Sequence, residues 1–147
     1  MIYIGVDPGK KGAYAWYSDG VMRVRPWDDN YFAQDMHLLA AMDDHLMACV
    51  EKVGAMPGQG TVSMFSFGQS YGFILGVLAA FGIPYQLVPP RKWKAEYGLL
   101  NTIKEDSVMV AKRLFPNVDL LPTPRCRKES DGMAEALLIA EYARRKM

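Results

Sequence analysis

Residues 1 to 17 carry strand and turn signals packed so closely that they admit one local structure, a hairpin with a carboxylate at its bend. Ile2, Ile4 and Val6, with Tyr3 between them, form a short and nearly continuous apolar run, the pattern of a strand covered on both faces. Asp7 stands at its exit. Pro8-Gly9 is turn chemistry, Gly12 permits a second close bend, and Ala13 to Tyr17 supplies an aromatic-rich return strand. An isolated Asp-Pro-Gly is ordinary turn chemistry, so a chemical role for Asp7 rests on finding partners for it.

The rest of the chain supplies more strands, then helices. Ser18-Asp19-Gly20 is a turn, and Val21 to Arg25 alternates as a third, edge strand. Phe32, Met36, Leu39 and Met42 recur at helical spacing and predict an amphipathic helix over 31–43. Leu46 to Val50 is again fully apolar and again ends on a carboxylate, Glu51. A loop over Gly54–Ser63 leads into a helix over 64–81, with Phe67, Tyr71, Ile74, Leu78 and Phe81 along an apolar side. Gly68, Gly72 and Gly76 form one stripe of that helix, and each glycine costs roughly 1 kcal/mol relative to alanine. Close packing against the domain's own sheet is the expected reason, with the surrounding Met, Phe and Tyr left available for a dimer interface. A fifth strand over Tyr85–Val88 stops at Pro89-Pro90, and a short basic helix covers 91–96. Thr102 to Glu105 has the form of a capping box for a helix running to Leu114. Pro116 to Ser130 reads as an exposed connector, and a last helix begins near Asp131 and continues through Arg145.

At 147 residues and 50% apolar content the chain is one domain, 1–147, with enough apolar surface for a single core. Its two cysteines, Cys49 and Cys126, lie far apart with no second cysteine at metal-binding spacing, which fits a reducing, cytoplasmic setting. No signal segment is expected, since Met1 leads directly into the first strand, and the longest apolar run, Phe73 to Ile83, is too short to cross a bilayer. The expectation is a soluble protein with no membrane partner.

The formal charge of +1 conceals an asymmetry. Residues 1–74 hold five Lys or Arg against eight Asp or Glu, whereas residues 75–147 hold twelve against eight. Basic groups cluster at Arg91-Lys92-Trp93-Lys94, at Arg125-Cys126-Arg127-Lys128 and at Arg144-Arg145-Lys146. Basic patches beside acidic groups suit a polyanionic substrate handled by carboxylates; the terminal cluster also complements the last helix's dipole.

Asp131 and Glu135, at i and i+4, share one face at the start of the last helix. Like charges in that relation are mildly destabilising, and a cation or a function is the natural reason for them. Asp7, Glu51, Asp131 and Glu135 converge if the first and fourth strands are neighbours and the last helix crosses their ends. Such an oxygen-rich, histidine-free set favours Mg²⁺ or Mn²⁺. Two such ions, about 3.5–4 Å apart, support in-line phosphodiester displacement. His37 and His45 lie on or after the first helix, away from these strand ends, and are expected to be structural or solvent-facing.

At this point the chain resembles a known family. The order of three strands, helix, strand, helix, strand and helices is that of the α/β ribonuclease H-like fold, a mixed five-stranded sheet flanked by helices. Gly5-Val6-Asp7-Pro8-Gly9, Val50-Glu51-Lys52-Val53, Gly68-Gln69-Ser70-Tyr71-Gly72 and Asp131-Gly132-Met133-Ala134-Glu135 resemble the RuvC Holliday junction resolvases, particularly their compact phage-borne relatives. The resemblance implies a homodimer that nicks opposing strands of a four-way DNA junction, in the host cytoplasm if phage-encoded. It implies two divalent ions, with Asp7 bridging them and Glu51, Asp131 and Glu135 completing the site. Lys94 and Lys104 match positions where the family places basic residues near its active site, and Lys104 is assigned a catalytic role. Lys10, Lys11, Arg91, Lys92, Lys94, Arg125, Arg127 and Lys128 are assigned to DNA. Trp93 is expected to pack beneath the basic segment or to stack on DNA.

Two departures stand out. The bacterial members space their last two acids at i, i+3 and use aspartate for both, whereas this chain uses i, i+4 and ends in the longer Glu135. They also carry an aromatic wedge shortly after the second acid, where this chain has Gly54, Ala55 and Met56; Phe65 or Met56 is the substitute available, with packing the default for both. The glycine spacing after Gly5 excludes a Walker-type phosphate loop, and an actin-like ATPase needs two such domains. Another nuclease of the same fold, acting on flaps or RNA–DNA hybrids, and a non-catalytic module binding branched DNA are the remaining alternatives.

Overall fold

The structure is a computed structural model that describes residues 1–147. Ten elements follow one another: β1 (Ile2–Asp7), β2 (Ala13–Ser18), β3 (Val21–Pro26), α1 (Asp29–Met42), β4 (Leu46–Glu51), α2 (Thr61–Ala80), β5 (Tyr85–Val88), α3 (Pro90–Glu96), α4 (Lys104–Leu114) and α5 (Asp131–Lys146). The five strands form one sheet in the order β3-β2-β1-β4-β5. β1, β2 and β3 pair antiparallel, while β4 and β5 run parallel to β1. The mixed five-stranded sheet expected from the sequence is therefore present, with β1 at its centre.

Period-two alternation divides the core. Ile2, Ile4, Val6, Tyr14, Trp16, Ala48 and Val50 face α1 and α2, where they meet Phe32, Met36, Leu39, Ile74 and Leu78. Ala13, Ala15, Cys49 and Val88 face the other way, onto α5 and the residues of α3 and α4 that pack with it. α5 lies across β1 and β2 and is buried along nearly its whole length, as an all-round apolar helix must be. Its single buried acid in that stretch, Glu141, is held by Arg144 (2.7 Å) and Arg145 (3.0 Å).

Two close approaches bring α5 onto the hairpin, and a third closes the hairpin on itself. A Cβ at Gly5 would overlap the backbone of Ala136 and Ala140, and one at Gly132 would overlap the Lys11 carbonyl. A Cβ at Gly12 would overlap the Asp7 carbonyl. Gly5 and Gly132 are thus the residues that let α5 touch the sheet and its first turn. Ser130 starts the helix, its hydroxyl accepting from the Met133 N–H at 3.1 Å.

Several boundaries and contacts differ from expectation. α1 begins two residues early because Asp28 caps it, accepting from the Tyr31 N–H at 2.9 Å. α2 begins three residues early, at Thr61. The capping box is displaced: α4 starts at Lys104, the Asp106 carboxylate accepts from the Ile103 N–H at 3.2 Å, and the Thr102 hydroxyl turns back to the Leu99 carbonyl. The glycine stripe of α2 does not pack on the sheet. An added Cβ at Gly68, Gly72 or Gly76 meets nothing within 4 Å, so these glycines line an open face. Phe65 and Met56, for which packing was the default, are exposed at 72% and 68%. α2, at 20 residues and with a mean hydropathy of 1.3, is long and apolar enough by length and composition to cross a membrane, beyond the length of the run read from the sequence. Here Ile74 and Leu78 tie it to the sheet.

Candidate active site

The site begins with strand register. β1 and β4 pair in parallel with Val6 opposite Val50, so Asp7 and Glu51, the last residues of the two strands, end side by side. Alternation then decides their face. Val6 and Val50 point into the α1–α2 layer, and the next residue on each strand points the opposite way, towards α5. Asp131 and Glu135 descend to the same place on the first two turns of α5, brought there by the contact of Gly132 with the Lys11 carbonyl. The four acids predicted from the sequence thus share one edge of the molecule, the carboxyl ends of the parallel strands.

The electrostatics bear the marks of that crowding. Asp7 is only 9% exposed; burial, followed by repulsion from Glu135, Glu51 and Asp131, pushes its carboxyl up to about 9. Burial pushes Glu135 up to about 7, with Glu51 and Asp131 adding to the shift. Glu51 is also raised by burial, but less, because Trp93 and Lys94 oppose it. Lys94 is the one cation that opposes the shift at all three of these carboxylates. Lys104, by contrast, is 81% exposed at its side chain and stands 3.9 Å from Asp131, a solvent-facing pair of little energetic weight; its charge also opposes the shift of Glu135.

Glu51 is the most firmly held of the four. The Trp93 indole Nε1 donates to its Oε2 at 2.7 Å, and the Tyr71 hydroxyl donates to its backbone carbonyl at 3.4 Å. Trp93 is fully buried, so it does not stack on DNA. Tyr97 packs edge-on against its ring, and Lys94 Nζ lies 5.5 Å from the ring centroid, within cation–π range. The Trp93–Glu51 contact was not anticipated; the available signal is that a buried tryptophan needs a partner for its N–H.

Could this set hold divalent cations? In the arrangement described, no three His, Cys, Asp or Glu side chains stand close enough to enclose one ion. The chemistry nevertheless fits. The donors are all carboxylate oxygens, burial and mutual repulsion make Asp7 and Glu135 resist ionisation, and hard oxygen-seeking cations match both properties. His37 and His45 take no part: both are exposed, His37 beside Phe81 and His45 beside Asp43.

The basic residues fall around the same edge. Lys10 and Lys11 are exposed on the β1–β2 turn, Arg91 and Lys92 on the first turn of α3, and Arg125, Arg127 and Lys128 on the connector entering α5. Lys128 shares a groove with Lys104, Lys112, Glu129 and Asp131.

The mixed five-stranded sheet crossed by α5 is an α/β fold of the RuvC and ribonuclease H-like kind. Thermus thermophilus RuvC matches with a TM-score of 0.58 at 17% identity, covering 99% of this chain and 96% of that one. T. thermophilus RuvC in complex with a Holliday junction substrate matches with a TM-score of 0.60 at 15% identity, covering 99% and 97%. The yeast mitochondrial Holliday junction resolvase Ydc2 matches at 0.53 and 15%, covering 93% and 75%. In sequence, the chain is 35% identical over 99 residues to the chloroplastic Holliday junction resolvase MOC1 of Chlamydomonas reinhardtii, a stretch that is 67% of this chain and 11% of that relative. No family model matches the chain.

Proposed function

We propose that this protein is a structure-selective endonuclease that resolves four-way DNA junctions by paired, divalent-metal-dependent phosphodiester hydrolysis. The observation that carries the reading is the convergence of Asp7, Glu51, Asp131 and Glu135 on one buried strand edge, with more negative charge than Lys94 balances. The junction-resolving names of the similar proteins support the choice of substrate over other nucleic acids.

In this reading Asp7, Glu51, Asp131 and Glu135 would hold Mg²⁺ or Mn²⁺, two ions per site, through carboxylate oxygens alone. When bound, the ions supply water activation and neutralise charge developing at the phosphodiester. The protein's own groups do the rest. The β1–β4 pairing fixes Asp7 beside Glu51. α5 sets Asp131 and Glu135 opposite, and the length of Glu135 offsets its i+4 spacing. Lys94, poised above Trp93, faces the scissile phosphate and stabilises its charge; Lys104, paired with Asp131, assists in stabilising that charge. Lys10, Lys11, Arg91, Lys92, Arg125, Arg127 and Lys128 bind flanking phosphates without reading sequence.

Paired nicking needs two active sites, and the apolar, open face of α2 suits a second copy of this chain. Phe73 on that helix, and Tyr85 and Leu87 on the edge strand β5, are each more than a third exposed. A reducing host cytoplasm suits the free Cys49 and Cys126. The central test is Asp7→Asn on a labelled four-way junction, with a three-way branch, a flap and an RNA–DNA hybrid alongside. Symmetric nicking of the four-way junction should disappear while junction binding persists. Cleavage by the variant at the wild-type rate, or wild-type preference for the hybrid, would overturn the reading.

A further inference from the structure

We propose that Trp93 is a positioning residue of the metal centre: its indole N–H holds one oxygen of Glu51 so that the other is presented to the cation. The inference rests on the metal-dependent reading above and goes beyond the four acids. Trp93 Nε1 and Glu51 Oε2 are 2.7 Å apart, a short bond of the charge-assisted kind. The indole has one donor and no acceptor, so it occupies one oxygen of the carboxylate and leaves Oε1 without competition from it.

The holder is itself immobile. Trp93 has no exposed surface, is packed edge-on by Tyr97, and Tyr97 is fixed in turn by donating its hydroxyl to the Leu138 carbonyl at 2.6 Å. A chain of contacts therefore runs from the middle of α5 through Tyr97 and Trp93 to the ligand at the end of β4. The indole face also lies under Lys94, so one buried ring steadies both a ligand and that lysine. Groups that orient a metal ligand in this way are worth 10- to 100-fold in metal affinity or activity.

The test uses Trp93→Phe, which keeps an aromatic face for Lys94 and Tyr97 and deletes only the donor. Mn²⁺ binding by calorimetry without DNA should weaken by about 10- to 100-fold. The Mn²⁺ concentration for half-maximal junction cleavage should rise in parallel, while cleavage at saturating Mn²⁺ recovers most of the wild-type rate. Unchanged Mn²⁺ affinity in a folded variant overturns the role of Trp93 and leaves the metal-centre reading standing. If wild-type protein binds no Mn²⁺ or Mg²⁺, both fall. Should Trp93→Phe not fold, the wild-type protein labelled with ¹⁵N-tryptophan decides the matter. The indole signal assigned to Trp93 through its contact with Tyr97 should shift on Mg²⁺ addition. A signal that stays fixed while Mg²⁺ binds overturns the proposal.

Discussion

Asp7 combines two costs, burial and three like-charged neighbours, and its consequences are measurable without any DNA. Because the folded chain holds protons on Asp7 and Glu135 at pH values where the unfolded chain has lost them, folding binds protons. Stability of the metal-free protein must then fall as pH rises from about 4, where free carboxylates ionise, through about 7 for Glu135 and towards about 9 for Asp7. Melting in EDTA should show a lower Tm at pH 8 than at pH 5.5, and Mg²⁺ should diminish the difference. A pH-independent Tm would remove the electrostatic account of the site. By the same logic Asp7→Asn should melt higher than wild type in EDTA at pH 8, although it loses cleavage. These effects were partly legible in the sequence, which marks the acids but not how deeply the fold buries them.

Among the elements, glycine divides into two kinds that look alike in sequence. Gly5 and Gly132 are where α5 meets β1 and the β1–β2 turn, and a Cβ at either would strike backbone that cannot give way. Gly132→Ala should cost about 1–3 kcal/mol in urea unfolding and raise the Mn²⁺ requirement, because it lifts the turn that carries Asp131. Gly72 has open space where its Cβ would go. As far as one chain is concerned, Gly72→Ala should stabilise by up to about 1 kcal/mol through helix propensity. Equal losses for the two variants would contradict the difference in packing. The i, i+4, i+8 stripe on α2 predicts close packing on the sheet, and the structure instead leaves that face open, since spacing defines a face and not what covers it. Gly9, at φ +125°, belongs to a third kind, required by the turn itself.

For the whole molecule, the uncovered α2 face is the counterpart of the paired-nicking proposal. Sedimentation at assay concentrations should give twice the 16.5 kDa chain mass, and Phe73→Asp should return it to one chain. The monomeric variant should then nick one strand without the coupled second nick. A wild-type monomer with paired cleavage would exclude α2 as the reason for symmetry. Lys10, Arg91 and Arg127, distributed over three separate elements at one edge, should each weaken junction binding and reduce its salt dependence when changed to alanine.

What the sequence determined by itself is whatever depends on near neighbours. Alternation in β1 and β4 assigns Asp7 and Glu51 to the face opposite Val6 and Val50, turn residues close the hairpin, and helical spacing puts Asp131 and Glu135 together. Those rules also carried the resemblance that named the fold. Only the tertiary structure decided which layer lies on which face, that Lys94 opposes the charge of three of the acids while Lys104 pairs with Asp131, and that Trp93 grips Glu51 across 42 residues of chain. Such pairings depend on which strand ends finish side by side and which helix the sheet draws down upon them. Burial of the whole core sets that outcome, and no local propensity encodes it.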